Sequence, residues 1–492
     1  MFRRSRLIAA TMVAGVAGTL IAVTGTSYAQ TAPSPGSPGL GDRLYPMLGN
    51  GGYDVQNYDL SLFHRTKNPK QTVSGDVTIT AEATQSLSRF NLDFTGDQVA
   101  AVSVNGRPAD FARSGSELTV TPRQHLPAGR RFTVTVAGFT ATPAPPGPDS
   151  MMGFLTTPDG TVLAGQPEAS QRLFPNNNHP RDKATYTISV TGPVGWTGTA
   201  SGVLQHTRSR NGYVTSTYRE SHPMASELVQ VAVGDFVVKR RAPVGRTAIR
   251  DVVPRRLAAD LLPRLDQERA QLAWMERKIG PYPFENYGSL VVAVELGGAL
   301  ETQTLSLYDA GLFADEHADE ASAIMAHELA HHWFGNSVSP WSWTDIWLNE
   351  GHAHFYELLH QDEAGKFQES FGAPDRETYF KAVYGMSNRL RTEHGPVGAP
   401  PDATSFFHVF NPNVYLGGAL VLYALQEKIG AATFAQVQRA WVSSYRGKSA
   451  STQDFIALAS RVAGEDLDPF LTGWLYGAET PPMPGHPDWT VT

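Results

Sequence analysis

The chain contains no cysteine among its 492 residues. That excludes disulfides, thiolate metal ligands, cysteine nucleophiles and lipid attachment through sulfur. It also lacks an excess of positive charge. Lys and Arg number 40 against 47 Asp and Glu, a formal net charge of −7. An acidic balance argues against nucleic acid or an anionic membrane surface as partner. Long apolar runs are missing too, except at the start. There Arg3, Arg4 and Arg6 precede an apolar run from Leu7 to Val23, and Ser27-Tyr28-Ala29 closes it. This is the layout of a secretory signal over 1–29 with a small-x-small cleavage site. Gly and Thr dilute the run, which favours cleavage over retention as an anchor. Arg3-Arg4 fits a twin-arginine export signal only in part. Cleavage removes three arginines and no acid, moving the formal charge from −7 to −10. The mature protein is expected to be extracellular, with no stable membrane insertion.

What is present begins with length. A chain this long exceeds one ordinary core, so two or three domains are expected. Residues 30–42 read as a disordered Pro/Gly/Ser linker. Residues 43–240 read as an antiparallel β domain, because runs such as Val77 to Ala81 and Phe132 to Val136 alternate. Asn105-Gly106 and Ala128-Gly129 supply turns between them. Residues 241–492 turn helical: Leu257, Leu261, Leu265, Leu272 and Ile279 recur at helical spacing. Pro263 places the start of that helix nearer Leu261. Leu290 to Val294 is a short buried strand. Helices follow over 322–334, from about 349, and over 419–429, 432–444 and 452–462. The class is α+β.

The chemistry sits in HELAHHWFGN at 327–336 and WLNEG at 347–351. On a helix, His327 and His331 lie one turn apart on one face. Two imidazoles so placed can grip one Zn²⁺, with Glu350 as third protein ligand and a fourth position left for water. Glu328, beside the metal, suits a general base. Asp319 or Ser322 can cap the helix, and Gly335-Asn336 can stop it. The bland alternative is a buried polar helix with no metal. His332 points about 100° away from His331 and reads as structural. His354, one turn after Glu350, could face the metal, but a fourth protein ligand would close the water position.

Around these residues the chain resembles the membrane alanyl aminopeptidase and leukotriene hydrolase family of gluzincin peptidases. The resemblance rests on GPYPFENYG at 280–288, GGALET at 297–302, the two zinc motifs, and NVYLGGALVL at 413–422, with GQPEASQRLFPNNNHPRDKATY at 165–186 in the β half. It implies an N-terminal β saddle domain joined to a thermolysin-like, mainly helical catalytic domain. It implies one zinc per chain and peptide substrates with a free N-terminus. Gly298, Ala299 and Glu301 match the exopeptidase signature Gly-Ala-Met-Glu-Asn, whose glutamate binds the substrate amine. Leu300 and Thr302 depart from it. Gln166 and Glu168 match a Gln-x-Glu that also contacts the amine. Tyr415 matches the tyrosine that stabilises the tetrahedral intermediate, and Gly417 stands where relatives often carry lysine. The expected activity is a secreted zinc aminopeptidase. The rivals are a thermolysin-like endopeptidase, a lipid-epoxide hydrolase and a catalytically dead binding protein on the same fold.

Overall fold

Period-two alternation in the first half forms strands, as the geometry of a pleated chain requires. The computed structural model describes residues 32–147 and 152–491, so the expected signal over 1–29 lies outside them. An eight-stranded sheet runs in the order Val203–Arg210, Tyr213–Met224, Ala184–Pro193, Tyr53–Phe63, Val73–Ala83, Arg131–Ala141, Ala101–Val104, Arg107–Pro108. Neighbours are antiparallel except Ala184–Pro193, which runs parallel to Tyr53–Phe63. Val77, Ile79 and Ala81 face the core from one side of their strand. Leu92 and Val120, from a four-stranded sheet, join the same apolar cluster.

The expected disorder before residue 43 is corrected from Pro33 onward. Ser34–Pro35 pairs in parallel with Leu87–Asp93. Asp42 is buried, and its carboxylate accepts from the N–H groups of Leu44 at 2.8 Å and Trp343 at 2.7 Å. His179 Nε2 lies 3.2 Å away. Burial raises the Asp42 pKa, but these partners together hold it at about 2. Composition gave a linker because Pro and Gly punctuate backbone. It could not display partners more than a hundred residues distant.

The second half opens with another sheet, in the order Phe236–Val244, Thr247–Pro254, Ser289–Val292, Ser306–Asp309, Ala299–Leu300. The expected domain boundary at residue 240 therefore falls inside a strand. The helix expected up to Ile279 is in two pieces, Ala258–Arg264 and Glu268–Lys278. Pro263 sits in the last turn of the first piece, and a 3₁₀ turn joins the two. The histidine-bearing helix is Ala318–His331, four residues earlier at its start than expected. Neither Asp319 nor Ser322 caps it. His317 is the N-cap without a side-chain bond, and Asp319 and Glu320 lie in the first turn, where acids suit the helix dipole. Trp347–Glu363 carries Glu350. Arg376–His394 was not expected, although Asp375 caps it by accepting from Thr378 N at 2.7 Å.

Trp347–Glu363 packs on Gly418–Ile429 through two glycines. A Cβ on Gly351 would stand 2.8 Å from the Gly418 backbone, and one on Gly418 equally close to Gly351. Any side chain at either point pushes the helices apart. The approach brings the chain just before Gly418, with Tyr415, against the turn that carries Glu350. No helix among the described residues is long and apolar enough to cross a membrane.

Candidate active site

The i, i+4 spacing sets His327 and His331 side by side, ring centroids 4.7 Å apart. Glu350, in the first turn of its helix, places Oε2 3.4 Å from Nε2 of each histidine. Two donor atoms on one tetrahedral zinc, each 2.0–2.1 Å from it, stand roughly 3.4 Å apart. The three side chains therefore already have the spacing of a zinc ligand set.

The other ring nitrogens fix the tautomers. His331 Nδ1 donates to Phe334 O at 3.1 Å, and His327 Nδ1 donates to Glu357 Oε2 at 3.0 Å. Both protons sit on Nδ1, so both Nε2 lone pairs are free to ligate. Glu357 also accepts from His354 Nδ1 at 2.7 Å, and His354 Nε2 meets Tyr379 Oη at 3.0 Å. His354 thus steadies Glu357 rather than joining the ligand set. Glu357 escaped the sequence reading, though its position seven residues after Glu350 puts it on the same helix face. His332 is buried between Tyr282 Oη at 2.7 Å and Ser306 Oγ at 3.1 Å, a structural place.

The electrostatics suit a cation. Burial lowers the His327 pKa, but Glu350 and Glu357 carry it well above its ordinary value. His331 is likewise lowered by burial and lifted by Glu301 and Glu350, to about 9. Burial raises Glu350, yet His331 and His327 hold it at about 2. The carboxylates demand positive charge where the two Nε2 atoms converge, and a dication supplies it. Glu328 is buried beside this point, and its Oε2 has no partner among the described residues. Burial pushes its pKa up to about 8 against the pull of His327 and His331.

Tyr415 lies in a π turn, Asn413–Gly417, that leads into Gly418–Ile429. Its ring lies nearly parallel to His327 with centroids 6.0 Å apart. Burial, then Glu350, Glu301 and Glu328, raise the phenol well above its ordinary pKa, so it keeps its proton. Gly417 is explained locally: a Cβ there would run into Asn413 Oδ1.

Glu301 follows the edge strand Ala299–Leu300, and Gly298 and Ala299 line the same cleft of about 590 Å³. Glu301 is buried, and its Oε1 accepts from Gln166 Nε2 at 2.7 Å. Asn336 Nδ2 holds its backbone carbonyl at 2.6 Å. Carboxylate and imidazole atoms of Glu301, Glu328 and His331 lie within 4.8 Å of one another. Of the expected site residues, only Glu168 is placed elsewhere. It lines a separate cleft with Asp97, Thr142 and Arg172. Gln166 and Glu168 both lie in the turn between the strand Gly160–Ala164 and the 3₁₀ turn Ala169–Arg172, where positions i and i+2 need not share a side as they would in a strand. Behind Gln166 lies Glu227, fully buried, which the sequence reading missed. Burial and then Glu301 raise its pKa well above normal, and the half-buried Lys183 opposes them. Lys183 Nζ donates to Asn336 O at 2.7 Å.

Two imidazoles and a carboxylate around an open position, with an unpaired carboxylate alongside, define the site of a metal-dependent hydrolase. The comparisons agree with that class. Residues 264–474 match the Peptidase family M1 domain. An M1 zinc metallopeptidase from Deinococcus radiodurans is 30% identical, with a TM-score of 0.78 over 91% of this chain and 99% of that one. A mutant of that enzyme was crystallised with a Tyr-Ser-Ala substrate. Glutamyl aminopeptidase of Bitis rhinoceros is 27% identical over 354 residues, 66% of this chain and 36% of the relative. Aminopeptidase M1 of Arabidopsis thaliana is 24% identical over 64% of this chain and 36% of the relative. The match thus spans about a third of the curated relatives' length. The chain belongs to peptidase family M1, its cofactor is zinc, and the His–His–Glu set could hold that ion.

Proposed function

We propose that this protein is an aminopeptidase that removes the N-terminal residue from peptides with a free amine. The observation that carries the reading is the Glu301–Gln166 pair, which sets a buried carboxylate into the cleft wall within reach of the zinc ligands. A substrate ammonium beside Glu301 gains a charge-assisted bond. This pairing fixes how many residues lie between the terminus and the reacting carbonyl, and so favours exo- over endopeptidase cleavage. Bound zinc supplies a Lewis acid that polarises the carbonyl and acidifies water. Glu328, with its free Oε2, takes the proton and passes it to the leaving amine. Tyr415, still protonated, donates to the oxygen that gains charge. Ala299–Leu300 offers an open strand edge to an extended peptide. The arginines and apolar run before Ala29 support export, which N-terminal sequencing of the mature protein tests: Gln30 is the expected first residue.

The activity test is a matched pair of peptides, free and N-acetylated, given to wild type and to Glu301→Ala. The free peptide is expected to be strongly preferred by wild type, and the preference to collapse in the variant. The rate on the free peptide is also expected to fall above about pH 8 as its α-amine deprotonates. Equal cleavage of both peptides by wild type would show an endopeptidase instead.

A further inference from the structure

We propose that a second cleft, in the β half, binds a chain of closely spaced phosphates. It lies between the turn at Val104 to Arg107 and the segment Pro122 to Phe132, with a volume of about 760 Å³. That exceeds the 590 Å³ of the zinc cleft. Arg107, Arg123, Arg130, Arg131 and His125 line it, and no carboxylate does. In a chain of net charge −7 this is a local reversal of sign. Most of that charge is uncompensated. Arg123 and Arg130 have no side-chain partner among the described residues. Arg107 Nη1 donates only to the neutral Gln124, at 3.2 Å. Arg131 lies 4.0 Å from Glu82, both exposed, a pair worth little.

The frame is fixed. Leu126 and Leu87 exchange backbone bonds of 2.9 and 2.8 Å, and Asn105 Oδ1 accepts from Thr133 N at 2.9 Å. The backbone that carries the arginines therefore needs no reordering on binding, and only their side chains must settle. Each fork matches two oxygens of one phosphate, and several forks match a ligand with repeated anionic groups. The one benzene ring in the lining, Phe132, is 3% exposed and offers no face to a nucleobase, which favours recognition of phosphate over base. An inorganic polyphosphate and a polyol-phosphate polymer share this chemistry.

The test is calorimetric titration of the zinc-loaded protein at low salt with inorganic tripolyphosphate and, separately, with a glycerol-phosphate oligomer. Arg107→Gln/Arg123→Gln/Arg130→Gln is titrated alongside. One or both probes are expected to bind wild type and to weaken at least about tenfold in the variant, since even one charge-assisted bond is worth that much. Whichever probe binds identifies the source. Peptidase rates without probe are expected to match, which shows that the variant folds. Binding retained in the variant would place the phosphate elsewhere on the protein and overturn the proposal. So would no binding of either probe, or tighter binding of an oligothymidylate of equal charge.

Discussion

Among the described residues, two clusters of histidine with carboxylates could each be taken for a metal site, and their geometry separates them. In the first, Glu350 stands 3.4 Å from Nε2 of both His327 and His331, while the Nδ1 atoms are engaged elsewhere. In the second, Glu220, His222 and Glu285 meet at the junction of the β sheet with the GPYPFENYG segment. There His222 Nδ1 lies 2.9 Å from Glu285 and 3.7 Å from Glu220. The shorter distance is that of a hydrogen bond, and is too short for two ligands on one zinc. The same atom faces both carboxylates, so one proton on it serves both. Residue types alone do not tell the clusters apart. Spacing does, together with the partner of the other ring nitrogen. The first reads as a metal centre and the second as an ion pair that ties two regions together.

The strongest way to break this contrast is to remove one member of each cluster. Glu350→Ala is expected to lose both bound zinc and measurable peptidase activity. His222→Ala is expected to keep one zinc per chain and near-normal activity. Elemental analysis of protein never exposed to chelator, with rates on one peptide amide, checks both. Two zinc ions per wild-type chain would overturn the distinction. Chelation should abolish activity reversibly, since ligand binding by the site is an equilibrium.

Smaller effects are expected from residues that touch the reaction without holding the metal. Glu328→Gln should retain zinc and lose about 10²–10⁴ in kcat, the range of general-base contributions. Tyr415→Phe should lose about 10²–10³, the cost of one donor to the developing oxyanion. A Glu328→Gln enzyme with wild-type kcat would remove Glu328 from its role. Gly351→Ala acts through packing. Its Cβ meets the Gly418 backbone at 2.8 Å, so a loss of about 1–3 kcal/mol in stability is expected, read as a lower denaturation midpoint.

The sequence made the metal centre legible because its parts are local. His327, Glu328 and His331 fall in one helical turn and a half, and Glu350 opens the next long helix. Tyr415 was legible only through its motif, since nothing in its own neighbourhood announces a site. The β half was readable by alternation, but its register and its parallel pair were not. What failed were long-range satisfactions. Asp42 looked like linker because its partners, His179 and Trp343, lie far along the chain. Glu227 is a lone charge in the stretch from Met224 to Val233, and only the fold sets it under Gln166 and Glu301. Glu168 came with Gln166 through the resemblance to Gln-x-Glu, and the turn that holds both sets Glu168 on a separate cleft.

The smallest expected effect separates the second cluster from a metal centre by its response to pH. His222 in the folded protein has its pKa raised from 6.5 to about 9, by bonds to Glu220 and then to Glu285, with burial opposing. A raised imidazole pKa means that the protonated ring stabilises the fold. That contribution is fully present below about pH 6.5, where the ring is also protonated when unfolded, and is lost as pH rises through about 9. About a third of the His222 side chain is exposed, so water screens the pair and limits it to about 1 kcal/mol. In a chain of this size that corresponds to about 2 °C or less in the denaturation midpoint. Wild type is therefore expected to lose slightly more thermal stability than His222→Ala between pH 6.5 and 9.5. The two curves should converge at the alkaline end. Parallel curves throughout would mean that the ring carries no charge at neutral pH. A gap that widened with pH would mean that the neutral ring is the stabilising form, as it would be for a metal ligand, and the second cluster would then have to be read as the first is.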